Sequence, residues 1–138
     1  MNFYEQEMRR MFAENNIIHD AKFTGKTMLG KLDDELRVKL QFISTHIADH
    51  YNAIRATVIN RTEGVIDQQV FRFSDIIGKQ KRRDLSDVDP HIWEYNGEPE
   101  WYVPITAAAK VQIADTVLDY IGMYQQEEEM DISGMEMR

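Results

Sequence analysis

The sequence predicts an α+β fold: an antiparallel β-sheet of about five to six strands, flanked by an N-terminal and a long C-terminal α-helix. Leu36, Val38, Leu40 and Phe42 alternate with Arg37, Lys39 and Gln41, the period of a strand buried on one face. Val111, Ala114, Val117, Leu118, Ile121 and Tyr124 instead recur at helical spacing. Turn residues separate the remaining β-rich runs at hairpin distances, so the strands can pair without crossovers.

Asn2 is a candidate N-cap, and Phe3, Tyr4, Met8, Met11 and Phe12 share a helical face, which predicts a first helix over 3–14. Asn15 and Asn16 suit its C-terminal turn, and 17–26 is expected to be a connector with a short extended piece. Thr27 to Leu32 is expected to pair with the 36–42 strand across Asp33 and Asp34, both good turn residues. Ile54–Asn60 and Val65–Phe73 form the next hairpin, where Gly64 can take the positive φ of a tight reversal. Ser74 then caps a single helical turn that stops at Gly78.

Lys79 to Pro90 is a solvated loop by composition. His91–Tyr95 and Glu100–Val103 flank Asn96-Gly97, which predicts a last hairpin. Pro104 ends it, and Thr106 caps a helix from 107 to about 124. The chain therefore divides into one α+β domain over 1–124 and an acidic tail over 125–138, expected to be disordered.

Composition narrows the function. The chain has 138 residues, 6 Phe, 6 Tyr and 2 Trp, enough large apolar side chains for a core. It has no cysteine, which removes disulfides, thiolate metal sites and cysteine nucleophiles and suits a reducing cytoplasm. No apolar run is long enough for a spanning helix, and no membrane role is expected. The net charge of −8, of which the tail carries −4, disfavours direct DNA binding and favours a basic partner.

Catalytic motifs fare poorly. Gly25-Lys26-Thr27 ends like a phosphate-binding loop, but Asp20 stands where its first glycine should be and Thr27 opens a strand. His46, Asp49 and His50 approximate a zinc-peptidase motif, yet they fall in a short bridge between strands, with no third ligand marked. Lys79, Lys81, Arg82 and Arg83 are followed at once by Asp84, Asp87 and Asp89, which cancel their field. Asn60-Arg61-Thr62 matches a glycosylation sequon, which has meaning only on secretion. No catalytic residue, metal or cofactor is expected.

Binding is the better reading. Asp33, Asp34, Glu35, Asp84, Asp87, Asp89, Glu98 and Glu100 fall at predicted turns and loops, where some could meet a basic groove. Trp93, Tyr95, Trp101 and Tyr102 crowd the last hairpin; alternation sends at least half of these rings inward, Trp93 and Trp101 are expected in the core, and Tyr95 and Tyr102 are candidate contacts.

The strings MNFYEQEMRRMF, LDDELRVKLQF, ADHYNAIRATVINRTEG, FRFSDIIGK and HIWEYNGEPEWYVPIT, spread over about residues 1–124, resemble a family of small acidic proteins of Firmicutes mobile genetic elements. The resemblance transfers no catalytic residue. It implies a role in countering host defence, within the bacterial cytoplasm, such as inhibition of a type II CRISPR nuclease (anti-CRISPR). The expected function is a non-enzymatic inhibitor that binds such an effector and blocks its access to the PAM and to DNA. An accessory protein of conjugative replication or transfer, and a small metal-dependent hydrolase using His46, Asp49 and His50, are the alternatives.

Overall fold

A computed structural model describes residues 2–45, 48, 50–77, 92–95, 98–103 and 105–136, the side chains of 92–95, 98–99 and 125–136 excepted. The chain runs α1 (Phe3–Phe12), β1 (His19–Thr24), β2 (Thr27–Lys31), β3 (Leu36–Ile43), β4 (Ala53–Asn60), β5 (Gly64–Arg72), α2 (Phe73–Ile77), β6 (Ile92–Tyr95), β7 (Glu98–Trp101) and α3 (Ala107–Glu136). The first five strands form one antiparallel sheet in sequence order, and β6 and β7 form a separate pair. The expected α+β architecture is present, with the last hairpin standing apart from the main sheet.

Asn2 caps α1, its side chain accepting the Glu5 amide at 2.8 Å. Asn15 turns the chain out of the helix: its side chain donates to the Phe12 carbonyl and accepts from the amides of Ile17 and Ile18. Met8, Met11 and Phe12 are buried as their spacing predicts, whereas Phe3 is exposed. Phe3 and Tyr4 are consecutive and diverge by about 100° around the helix, so only one can face the sheet.

The short extended piece expected within the connector over 17–26 is a six-residue edge strand, β1, paired with β2. Only Ala21 and Phe23 of its six residues reach partial burial, too few to establish a period. Its pairing with β2 is irregular between His19 and Lys22, where Asp20 has φ 53°. Gly25 and Lys26 are the β1–β2 turn, Gly25 at φ 58°, which accounts for the Gly-Lys-Thr string without a phosphate.

Met28, Val38, Leu40, Phe42, Ile54, Ala56 and Val58 line one face of the sheet and join the residues of α1 and α3 in a single core. Gly30 lies on that face opposite Val38. Gly64 takes φ 89° at the β4–β5 turn, as the sequence requires.

Thr106 caps α3 through the Ala109 amide at 3.2 Å. The helix buries Ala109, Ile113, Ala114, Val117 and Ile121; Val111, assigned to the buried stripe from sequence, is 60% exposed because the inward face is centred on Ile113 and Val117. Its backbone stays helical to Glu136, past the expected end near 124. Among the described residues, no helix is long and apolar enough to cross a membrane.

A Cβ on Gly30 would stand 2.2 Å from Ile18 Cγ2 and 3.3 Å from the His19 carbonyl. Gly30→Ala is therefore expected to destabilise the fold by about 1–3 kcal/mol, the usual cost of overpacking. Urea denaturation of Gly30→Ala, Ile18→Ala and the double variant checks this: the double variant should fall short of additivity by about 1 kcal/mol, and strict additivity would mean that Ile18 is not the obstacle.

Candidate partner-binding surface

Asp33, Asp34 and Glu35 occupy the β2–β3 turn. Asp33 Oδ1 accepts the amides of Glu35 and Leu36, each at 2.8 Å, and so fixes the turn from within. Arg37 Nη1 donates to the carbonyls of Asp33 and Asp34 at 2.8 and 3.3 Å, and Arg61 Nη1 reaches the Asp34 carbonyl from the neighbouring hairpin at 3.2 Å. In these contacts both arginines hold the turn by its backbone, while the side chains of Asp34 and Glu35 remain exposed.

The other sequence candidates divide. Asp84, Asp87 and Asp89, the basic cluster Lys79, Lys81, Arg82 and Arg83, and His46 and Asp49 lie outside the described residues. Tyr95 and Glu98 face each other in the β6–β7 register, with their side chains outside the described part. Trp101 is buried as expected.

Glu100 and Tyr102 correct the reading: both are 1% exposed and neither presents a side chain to a partner. Glu100 is drawn inward by Arg72 Nη2, 2.8 Å from each of its carboxylate oxygens, and by Asn52 Nδ2 at 3.0 Å. Tyr102 stacks edge-on against the half-buried His50, ring centroids 6.0 Å apart. Arg72 is held above its ordinary pKa, first by its hydrogen bond to Glu100 and against the opposing effect of burial.

The register also defines a second surface, on the sheet face turned away from the core. Successive rows across it read His19, Lys31, Arg37, Ile59 and Val65; then Lys22, Leu29, Lys39, Thr57 and Gln68; then Thr24, Thr27, Gln41, Arg55 and Val70. Five of these residues are cations and none is a carboxylate. Leu29, Val65 and Val70 are 49%, 62% and 44% exposed, so no described element covers this part. At the far end the face closes, with Ala53 buried and Arg72 engaged by Glu100.

On the helix side of β5, the Asp67 carboxylate accepts hydrogen bonds from the hydroxyls of Tyr120 and Tyr124 of α3. These bonds, Tyr120's first, lower the Asp67 pKa, while burial followed by the bond to Asp67 raises that of Tyr120. Neither the Asp67 cluster nor the Glu100 cluster was marked by a sequence motif, because both join residues more than 25 positions apart.

Fold and surface together define an α+β protein with a pinned acidic turn at one end of its sheet and, among the described residues, helices on one face and nothing over the cationic rows of the other. In comparisons with known proteins, the chain matches no family model, no curated protein and no solved structure.

Removing Arg72 would take the guanidinium from a carboxylate that is 2% exposed. Arg72→Ala is expected to cost about 3 kcal/mol in chemical denaturation, the lower end for breaking a buried pair, since Asn52 stays on Glu100. Glu100→Gln should cost less, because a neutral amide needs no counter-charge; equal losses would mean that packing, not charge, governs this junction.

Asp67 gives a pH dependence. Its folded pKa is depressed, so the contact stabilises the fold above the ordinary Asp value of about 3.9 and loses that contribution as pH falls through the folded value. Thermal melts of wild type and Asp67→Asn should differ most near neutral pH and converge in acid; a gap constant from pH 7 to pH 2 would deny the linkage.

Proposed function

We propose that this protein acts by binding rather than by catalysis, as an inhibitor of a nucleic-acid-handling host protein. The observation that supports this reading is the turn at Asp33, Asp34 and Glu35, whose backbone is already fixed by Arg37 and Arg61. Exposed carboxylates on a preorganised turn meet a basic surface with little ordering cost. The resemblance to proteins of mobile elements makes the guide-RNA-loaded type II CRISPR effector the concrete partner. Such an effector reads its PAM with arginines and holds nucleic acid in a positive channel, where opposed carboxylates compete with DNA phosphates. Asp84, Asp87, Asp89 and Glu98 belong to the same reading; Glu100 and Tyr102 leave it.

One observation favours a second reading. Val65, Ile66 and Val70 form an exposed apolar strip along β5, an edge strand, and suit an accessory protein of conjugative replication or transfer held by an apolar interface. Ionic strength separates the two, because electrostatic association weakens with salt and apolar association does not.

The test is cleavage of target DNA by guide-loaded type II nucleases, with the protein added before or after the DNA. Inhibition only on prior addition, weakened about tenfold by Asp34→Lys with Glu35→Lys and by raised salt, is the expected result. Inhibition indifferent to both would transfer the contact to the β5 strip, and no inhibition across a panel of such nucleases would end the inhibitor reading.

A further inference from the structure

We infer that the open face of the five-stranded sheet is a second binding surface, adjoining the acidic turn at Arg37, and that it holds the phosphate backbone of duplex DNA. The net charge of −8 argues against any nucleic-acid contact, but net charge is a sum over the chain and a surface acts locally. Lys22, Lys31, Arg37, Lys39 and Arg55 all point to this face by register, and no Asp or Glu occupies its three open rows.

The charges are largely uncompensated. Lys31 has Asp20 at 3.6 Å, but the partners of the two arginines are neutral: Arg37 donates to backbone carbonyls, and Arg55 to Gln41 Oε1 at 3.2 and 3.4 Å. Among the described residues, Lys22 and Lys39 have no ion-pair partner. Arg72, engaged by Glu100 and Asp75, is left out of the site.

The arrangement suits a linear polyanion. Arg37 and Lys39 are two residues apart on β3, and Arg55 is one strand over and two residues on in register. The steps are roughly 6.6 Å and 8 Å, so these three cations follow a bent course over two strands, while Lys22 stands two strands to the side in the same row as Lys39. A course of cations at such steps suits the successive phosphates of a backbone.

The neighbouring side chains decide which nucleic acid. Proteins grip single strands by stacking bases on several aromatic rings, and the three open rows contain no Phe, Tyr or Trp, only His19 at one corner. The bound backbone must therefore keep its bases stacked on their own complement. Duplex RNA is held largely through 2′-hydroxyls, which need neutral donors and acceptors, and the face offers few: Thr24 and Thr27 at one end of a row, while Gln41 accepts from Arg55 and Gln68 donates to Thr57 at 3.0 Å. Charge is what the face chiefly presents, and charge reads the phosphates of duplex DNA without regard to sequence.

Fluorescence anisotropy of a labelled duplex DNA with the full chain, between 50 and 200 mM salt, tests this. Contacts from Lys22, Arg37, Lys39 and Arg55 give an expected slope of log affinity against log salt of about −3.6, falling to about −1.8 in Lys39→Gln with Arg55→Gln. Both variants replace half-buried surface side chains and should keep the wild-type melting curve. Arg10→Gln, on the helix layer, should leave the slope unchanged. Absence of binding at 50 mM salt, a slope unaltered by the double variant, or tighter binding of single-stranded DNA, duplex RNA or a polyglutamate peptide would each overturn the inference.

Discussion

The pairing of β3 with β4, from Leu36 opposite Asn60 to Ile43 opposite Ala53, is the constraint on which the rest of this structure depends. Because side chains alternate along a strand, this single register decides that Val38, Leu40, Ala56 and Val58 meet the helices, and that Arg37, Lys39 and Arg55 face the other way. A slip by one residue would exchange the two sets and bury three cations without partners, a cost of several kcal/mol each. The core and the cationic face are thus two consequences of one alignment.

Burial of apolar surface holds the helices to the sheet but has no direction, and two buried carboxylates supply it. Glu7 of α1, 1% exposed, accepts from Arg10 at 2.9 Å and from Lys110 of α3 at 3.0 Å, which fixes one helix against the other. Glu100 does the same for the β6–β7 pair against Asn52 and Arg72, and the Trp101 amide donates to Ser74 Oγ beside it. In both places the charge sits where two elements meet at an angle that hydrophobic contact alone would leave loose.

Much of the fold was legible because its signals are local. The alternation in β3, the caps at Asn2 and Thr106, the turn at Gly64 and the hairpin around Asn96-Gly97 each depend on residues close in sequence. The edge strand β1 was legible only as a short extended piece, since a neighbour on one side and an irregular start leave Ala21 and Phe23 alone to carry the alternation. Glu100 failed for a different reason. A carboxylate two residues after Glu98 in a predicted hairpin is ordinarily a surface group, and only the arrival of Arg72 and Asn52 from distant strands makes its burial affordable. The cationic face lay halfway between: Arg37 and Lys39 were visible as the outer side of one strand, but their alignment with Lys22, Lys31 and Arg55 needed the register of four strands.

The separation of charge follows from what each element requires. Turns favour Asp because its side chain accepts nearby amides, as Asp33 does from Glu35 and Leu36. The outer side of a half-buried strand favours Lys and Arg, whose aliphatic stems cover apolar neighbours such as Leu29 while the charge stays in water. Folding therefore sorts a chain of net −8 into an acidic edge and a basic face without any selection for partners. Selection for a partner is needed only to explain why the basic face carries no carboxylate in its open rows, where a single Glu opposite Lys39 would have given a favourable cross-strand pair. Leu29 and Thr57 stand at those two positions instead. A basic face beside a pinned acidic turn is what the proposed partner, a protein together with the nucleic acid it holds, would require, since such a partner presents both signs at once.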